Sequence, residues 1–315
     1  MERHEAGDAR LFLFPRVLIP ESMPELPEVE VTRQKLLPLI RGRRVLAFWT
    51  DWPRGLRVAK SKEQMATSMR GRKILDITRR GKVLFFKLSG RPERELAVHL
   101  RMSGRIEFVP ARRLFWRSPK YATPDRESRW VHVRWRLSGN RELRFIDPRK
   151  FGLVWYGDPA LLATDPYLGR LGRDAKSLDR DEFLDILRRS RGMIKPLLLR
   201  QDRIAGIGNI IADESLFRAR IHPRAAIAAL APHDLRRLHR AIRGTLGRML
   251  AAGGTSLRDW AMPDGRRGRF QERRQVYGRA GAPCPRCRTT LARIVVGGRG
   301  TTMCPRCQQT KNFKL

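Results

Sequence analysis

From Arg44 to Ile146 the chain runs in short apolar stretches, several alternating with polar residues and separated by turn-forming residues. That is the pattern of half-buried strands. The runs are Arg44–Thr50, Lys73–Thr78, Val83–Leu88, Leu96–Leu100, Arg105–Val109, Val131–Leu137 and Leu143–Ile146, with a Pro- and Arg-rich insertion at about 110–128. Several short strands with few helices predict a β-sandwich or barrel. One helix precedes them. Pro24 and Pro27 lead into Val29, Arg33, Leu36, Leu37 and Ile40, an amphipathic spacing with prolines at the start, where a missing N–H costs nothing. Past about residue 157 the pattern changes, and Asp179–Arg189, Lys195–Arg200, Ile210–Ala219 and His233–Ala252 read as helices. Residues 253–275 form a long polar loop, which is uncommon in a compact domain unless functional or disordered. The string from Asp202 to Asn209 (DRIAGIGN) lies between two of these helices. Its glycines permit a tight turn whose N–H groups suit a phosphate, and Asn209 would cap the next helix and donate to the same anion. The string also suits a plain helix–turn–helix connection.

Near the C-terminus, Cys284-x2-Cys287-x16-Cys304-x2-Cys307 has the spacing of two knuckles that close four thiolates around one zinc ion. Four sulfurs fill the coordination shell, so the expected role is structural. Leu291–Val296 and Thr301–Met303 alternate as a hairpin with Gly297-Gly298-Arg299-Gly300 at its tip, where Arg299 can reach a phosphate or simply face solvent.

Charge narrows the class. The 315 residues carry 67 Lys+Arg against 31 Asp+Glu, a net +36 with pI near 11.6. A field that positive attracts polyanions, of which nucleic acid is the abundant one. No stretch approaches the length of a membrane span. The apolar run at 11–20 is broken by Pro15 and Arg16 and is followed by no small-residue cleavage site, so secretion is not expected. Cysteines confined to one metal module fit a reducing cytoplasm.

Chemistry enters at MPELPEVE (23–30). Removal of Met23 would leave Pro24 as the N-terminus. An α-amine titrates at about 8, against about 10.4 for lysine, so at neutral pH it is far more often the neutral nucleophile. Such an amine can attack a sugar carbon to form an iminium ion, with Glu25 handling the proton. The same residues also suit a helix start whose carboxylates complement the dipole. An acylated Pro24 is an amide and cannot form an iminium. We therefore expect translation to begin at Met23 and residues 1–22 to be a non-native extension.

Together these residues resemble the formamidopyrimidine-DNA glycosylase family of bifunctional DNA glycosylase/AP lyases. The likeness runs from Met23 to about Gln308 through MPELPEVE, RRGK (79–82), HLRMSG (99–104), DPRKFG (147–152), IKPLLLRQDRIAGIGNIIADESLF (194–217), GGTSLRD (253–259), VYGRAG (276–281) and the cysteine module. It implies an α+β multidomain fold. An N-terminal β-sandwich with its leading helix (23–156) would precede a helix–two-turns–helix DNA-binding domain with a lesion loop (157–275) and a zinc β-hairpin (276–315). DNA would lie in the cleft between the halves.

By the same resemblance Pro24 is the Schiff-base nucleophile at C1′ and Glu25 the proton donor and acceptor. Lys82 serves base loss and β-elimination, and Arg299 grips phosphate and assists δ-elimination. Lys195 and Asn209 would hold the backbone around the lesion. Met102, Arg149 and Phe151 would wedge into the space left by a flipped nucleotide, a step that costs a few kcal/mol of stacking and pairing. The loop 253–275 would close over the extruded base, its glycines suiting a mobile lid. Trp130 stands where the family often has the first histidine of a His-Asp-His-Val run, so its DNA contact would be by stacking or packing. The implied substrate is double-stranded DNA with oxidised purines, handled by a cytoplasmic monomer with one structural Zn2+ and no redox or nucleotide cofactor. Within the superfamily the alternative is an endonuclease VIII-like enzyme for oxidised pyrimidines, against which PELPEVE and the Met102/Arg149/Phe151 trio speak. Retention of residues 1–22 would instead leave a non-catalytic binder of damaged DNA.

Overall fold

The computed structural model describes residues 24–57, 61–110 and 128–309; the expected extension at 1–22 and nearly all of the insertion lie outside the described residues. Helix α1 (Leu26–Ile40) opens the chain with proline in its first turn, as its sequence requires. Strands β1 (Val45–Thr50) and β2 (Leu56–Arg57) and helix α2 (Lys62–Met69) follow. Then come β3 (Ile74–Arg80), β4 (Val83–Leu88), β5 (Arg94–His99) and β6 (Arg105–Val109). Past the insertion lie β7 (Val131–Leu137), β8 (Arg141–Ile146) and β9 (Leu153–Gly157).

One sheet has the order β1-β7-β8-β6 and the other β2-β9-β5-β4-β3; apart from the short parallel β2·β9 contact, the pairings are antiparallel. Their inward residues, among them Phe86, Val98, Ile106, Val133, Trp135 and Phe145, form one buried core, so the expected sandwich is present. Helix α2 and strands β2 and β9 are not evident in the sequence pattern. Helix α2 presents only Met65 and Met69 to the core, and its start is set by Ser61 Oγ accepting from Gln64 N at 3.1 Å. Strand β9 is buried on both faces: Val154 and Tyr156 enter the sandwich core, while Trp155 packs with Leu162, Leu168 and Leu171. A strand covered on both sides reads as a continuous apolar run and carries no period of two.

Helices α3 (Pro159–Ala163), α4 (Arg180–Arg188), α5 (Ile194–Leu198), α6 (Asn209–Arg218) and α7 (Pro232–Ala251) build the second half around their own core. A two-residue parallel pair, β10 (Arg173–Asp174) and β11 (Ile204–Ala205), ties it together, and the hairpin β12 (Ala292–Val296) and β13 (Arg299–Met303) completes the chain. Helix α1 belongs to both halves. Leu26 is buried in the helical core, whereas Val29, Leu36 and Ile40 lie in the sandwich core.

The loop 253–275 is packed against both halves in this structure. Trp260 and Phe270 are buried, Thr255 N donates to Glu28 Oε1 at 2.7 Å, and Phe108 N donates to Pro263 O at 2.9 Å. A Cβ on Gly268 would lie 2.3 Å from the Gly254 carbonyl oxygen. Gly268 is thus required for this close packing.

Similar crowding surrounds Phe145, where a Cβ added to Gly152 would lie 2.3 Å from the ring. Gly152→Ala is therefore expected to destabilise the protein by about 1–3 kcal/mol in urea unfolding, the usual cost of overpacking. An unchanged midpoint would show that the ring moves aside freely.

Candidate functional site

Helix α1 begins where the two halves meet. Leu26 N donates to Gly206 O at 3.1 Å, and the preceding Glu25 carboxylate is seated on the start of α6. It accepts from Gly208 N at 3.1 Å, Ile210 N at 2.8 Å and Ile211 N at 3.1 Å. This corrects the phosphate-turn reading of Asp202–Asn209: the anion bound by these amides is a side chain of the protein itself. A Cβ on Gly208 would lie 2.2 Å from the Glu25 carboxyl carbon, so glycine is required for the approach. Burial raises the Glu25 pKa, and Lys82 together with the three amides works against that rise. Pro24, next to it, is buried at the same junction.

Lys82 is buried, and desolvation lowers its pKa against the pull of Glu25 and Glu28. Arg299 and Arg101 are close enough to lower it further. The turn that carries Lys82 is clamped from the other half. Asp174 accepts from Gly81 N at 2.7 Å and pairs with both terminal nitrogens of Arg79, whose Nε reaches Glu30 at 2.9 Å. Lys176 Nζ also binds Glu30, at 2.9 Å. Burial disfavours the charge on Glu30, but hydrogen bonds from Arg33, Lys176 and Arg79 outweigh it and bring its pKa to about 2.

Lys195 is turned into the protein interior rather than presented on the surface. It is fully buried, and its ammonium donates to Asp213 Oδ1 at 2.5 Å, Thr301 Oγ1 at 2.6 Å and the Gly300 carbonyl at 3.3 Å. With three donors and three acceptors, none remains for phosphate. Asp213 also accepts from Thr302 N at 3.0 Å, so the pair anchors β13 to α5 and α6. Asn209 is corrected too. Gly208 is the N-cap of α6, and Asn209 donates through Nδ2 to Gly300 O at 2.9 Å. Its buried Oδ1 has no hydrogen-bond partner among the described residues.

The hairpin tip is Gly297-Gly298 alone, both with positive φ, and Arg299 is already in register opposite Val296. Arg299 is exposed above the cleft. Beside it lies a cavity of about 410 Å3 lined by Asn209, Arg274, Tyr277, Arg293 and Thr301 among others. Burial and the nearby Glu25 push the Tyr277 hydroxyl up to about 12.

The four cysteine sulfurs lie within 4.8 Å of one another. Cys284–Cys307, Cys287–Cys304 and Cys287–Cys307 separations are 3.9, 3.5 and 3.4 Å. Zn–S bonds of about 2.3 Å at tetrahedral angles require about 3.8 Å, so the set fits a closed zinc shell. Backbone N–H groups of Arg286 and Cys307 point at two of the sulfurs. Phe217, Val276 and Leu291 pack against the module and seat it on the end of α6.

On the opposite wall, Phe151 is 47% exposed and Arg149 lies 4.8 Å above its ring, while Met102 is half-buried. Trp130 is half-buried under the Arg129 guanidinium at 4.5 Å. It lines a second cavity of about 410 Å3 with Arg105, Pro148, Arg258, Trp260 and Arg267. Sequence reasoning missed Asp174, Asp213 and Tyr277 as parts of the site, and it read Glu28 only as a helix-start residue. Their roles depend on pairing across the two halves, which no local spacing records.

A glutamate and lysine buried where the two halves meet, a cysteine-held hairpin packed on the helical half and exposed Arg149 and Phe151, on a chain of net +36, fit a DNA-processing protein. Its class is that of the helix–two-turns–helix, zinc-hairpin proteins. The formamidopyrimidine-DNA glycosylase N-terminal domain matches residues 23–154, the formamidopyrimidine-DNA glycosylase H2TH domain residues 168–260, and the zinc finger found in FPG and IleRS residues 281–310. The formamidopyrimidine-DNA glycosylase of Pelotomaculum thermopropionicum is 40% identical, covering 92% of this chain and 100% of the relative. The crystal structure of MutM (FPG) from Thermus thermophilus matches with TM-score 0.77 and 39% identity over 90% of this chain and 98% of that one. A Lactococcus lactis FPG mutant in complex with Fapy-dG containing DNA matches with TM-score 0.78 and 33% identity, covering 91% and 100%. The chain belongs to the formamidopyrimidine-DNA glycosylase family, and its four cysteines form the zinc site of that family's finger.

Two outcomes test the site. Cys304→Ser is expected to abolish bound zinc by atomic absorption and to weaken binding to a damaged duplex; zinc loss with unchanged affinity would show that the hairpin makes no contact. Burial, with repulsion from Glu25, raises Glu28 from 4.5 to about 7. A carboxyl raised on folding favours the folded state fully below 4.5, and that contribution is lost as pH climbs through about 7. Glu28→Gln should therefore flatten the fall in urea-unfolding stability across that window relative to the parent. Parallel curves for the two proteins would refute the shift.

Proposed function

We propose that this chain excises 8-oxoguanine and ring-opened formamidopyrimidines from duplex DNA and then cuts the strand by β,δ-elimination. Its family makes it a base-excision-repair DNA glycosylase. The observation that carries the chemistry is Glu25 locked on the start of α6 with Pro24 beside it and Lys82 buried within its field.

The Pro24 amine attacks C1′ of the damaged nucleotide, the glycosidic bond breaks, and the base leaves with a proton. The sugar ring opens as Glu25 gives a proton to O4′, leaving an iminium between C1′ and Pro24. A carboxyl whose pKa is raised by burial holds that proton closer to neutral pH. Lys82, its pKa lowered by burial, is suited to proton transfer during base loss and removal of the C2′ proton as the 3′ phosphate departs. Arg299 neutralises the phosphate expelled in the following δ-elimination. Met102, Arg149 and Phe151 fill the space vacated by the flipped nucleotide, and Trp130 and Asn209 line the path of the backbone. Zinc fixes the hairpin and supplies no reacting group. The enzyme would act in the cytoplasm, on the nucleoid.

This chemistry demands an uncapped Pro24, reached by translation from Met23 and removal of that methionine. The match to the family's N-terminal domain begins at residue 23, in support. Borohydride trapping tests it: protein starting at Pro24 is expected to form a covalent adduct with 8-oxoguanine duplex, and protein retaining residues 1–23 is not. Equal trapping by both forms would exclude Pro24 as nucleophile. Trapping confined to thymine glycol duplex would move the substrate to oxidised pyrimidines.

A further inference from the structure

We infer that Asp147 is a positioning residue for strand insertion, joining the loop that carries Met102 to the loop that carries Arg149 and Phe151. This rests on the wedge role proposed for those three residues. Asp147 is fully buried at the end of β8, and its carboxylate gathers donors from both loops. Ser103, the residue after Met102, donates its hydroxyl to Oδ1. Arg149 N also reaches Oδ1, at 3.3 Å, while Phe151 N and Gly152 N reach Oδ2 at 2.8 and 2.7 Å. The backbone closes the turn further, with Lys150 N donating to Asp147 O at 3.1 Å and Lys150 held at φ 52°. Asp147 N in turn donates to Trp130 O at 2.9 Å.

The loops also meet below the carboxylate. The Phe145 ring lies under both Gly104 and Gly152, where a Cβ would come within 2.8 and 2.3 Å of it. Arg149 and Phe151 therefore project into the cleft from a short loop whose main-chain amides are tied to one buried anion. The same anion sets the position of Met102 through its neighbour. None of the Asp147 oxygens faces the cleft as a base or nucleophile; they are occupied by amides and a hydroxyl. Asparagine would replace an acceptor oxygen with an NH2 group, directing a donor at one set of these donors.

The test uses full-length zinc-loaded protein and two duplexes, one with 8-oxoguanine opposite cytosine and one with a preformed abasic site. Asp147→Asn is expected to slow base excision on the order of a hundredfold, the scale of lost positioning, with a smaller effect on cleavage of the abasic duplex, which has no base to extrude. Ser103→Ala, which removes one donor and little volume, should give a milder loss of the same kind. In a Met102→Ala/Arg149→Ala/Phe151→Ala background, Asp147→Asn should add nothing further. Full excision by Asp147→Asn, or an equal added loss in the background lacking the wedge, would overturn the inference. Unimpaired excision by Met102→Ala/Arg149→Ala/Phe151→Ala itself would remove the wedge reading first and this one with it.

Discussion

The structure turns on a carboxylate held by the first amides of a helix. Glu25 comes from the N-terminal segment and the amides of Gly208, Ile210 and Ile211 from the other half of the molecule. Helix starts favour anions because their N–H groups are unpaired and the backbone dipole adds positive potential. Here that preference is satisfied from within the chain, so one contact sets the distance between the halves and places Pro24 at the base of the cleft. Its cost is desolvation of the carboxylate, and the same desolvation gives Glu25 a raised affinity for a proton. Fold and reactivity thus draw on a single arrangement.

Around this contact, several buried charges appear in matched groups. Glu30 meets Arg33, Arg79 and Lys176, Asp174 meets Arg79 and Gly81, and Lys195 meets Asp213. Removing one member of such a group leaves the other uncompensated, whereas the intact group fixes geometry. Each connects segments far apart in sequence: α1 with β3 and β10, or α5 with the hairpin. The two cavities near Trp130 and Tyr277 are lined mostly by arginines among their charged residues, and the chain as a whole carries a net +36 that favours a polyanion.

Much of this was legible in the sequence, for identifiable reasons. Val131–Leu137 alternates and Val83–Leu88 is an apolar run of strand length, and both match the observed strands; the cysteine spacing announced its metal. Strand β9 is a four-residue apolar run between Gly152 and Gly157, and helix α2 buries only two methionines, so neither stands out in the sequence. Among site residues, Glu25 and Arg299 both lie close enough to Lys82 to shift its pKa. Lys195 and the glycine turn were misread because a basic side chain and a helix start look identical in sequence whether their anion is DNA or a carboxylate of the same chain. Asp213 and Glu25 took those places, and only the tertiary pairing reveals it.

Because α1 enters from the helical core at Leu26 and ends in the sandwich core at Ile40, it acts as a rigid axle shared by both walls. Any rotation of one wall against the other would have to shear its first turn and strip Glu25 from its amides. The two halves are therefore tied to each other through that single turn, and the seat of Glu25 is also the joint between them.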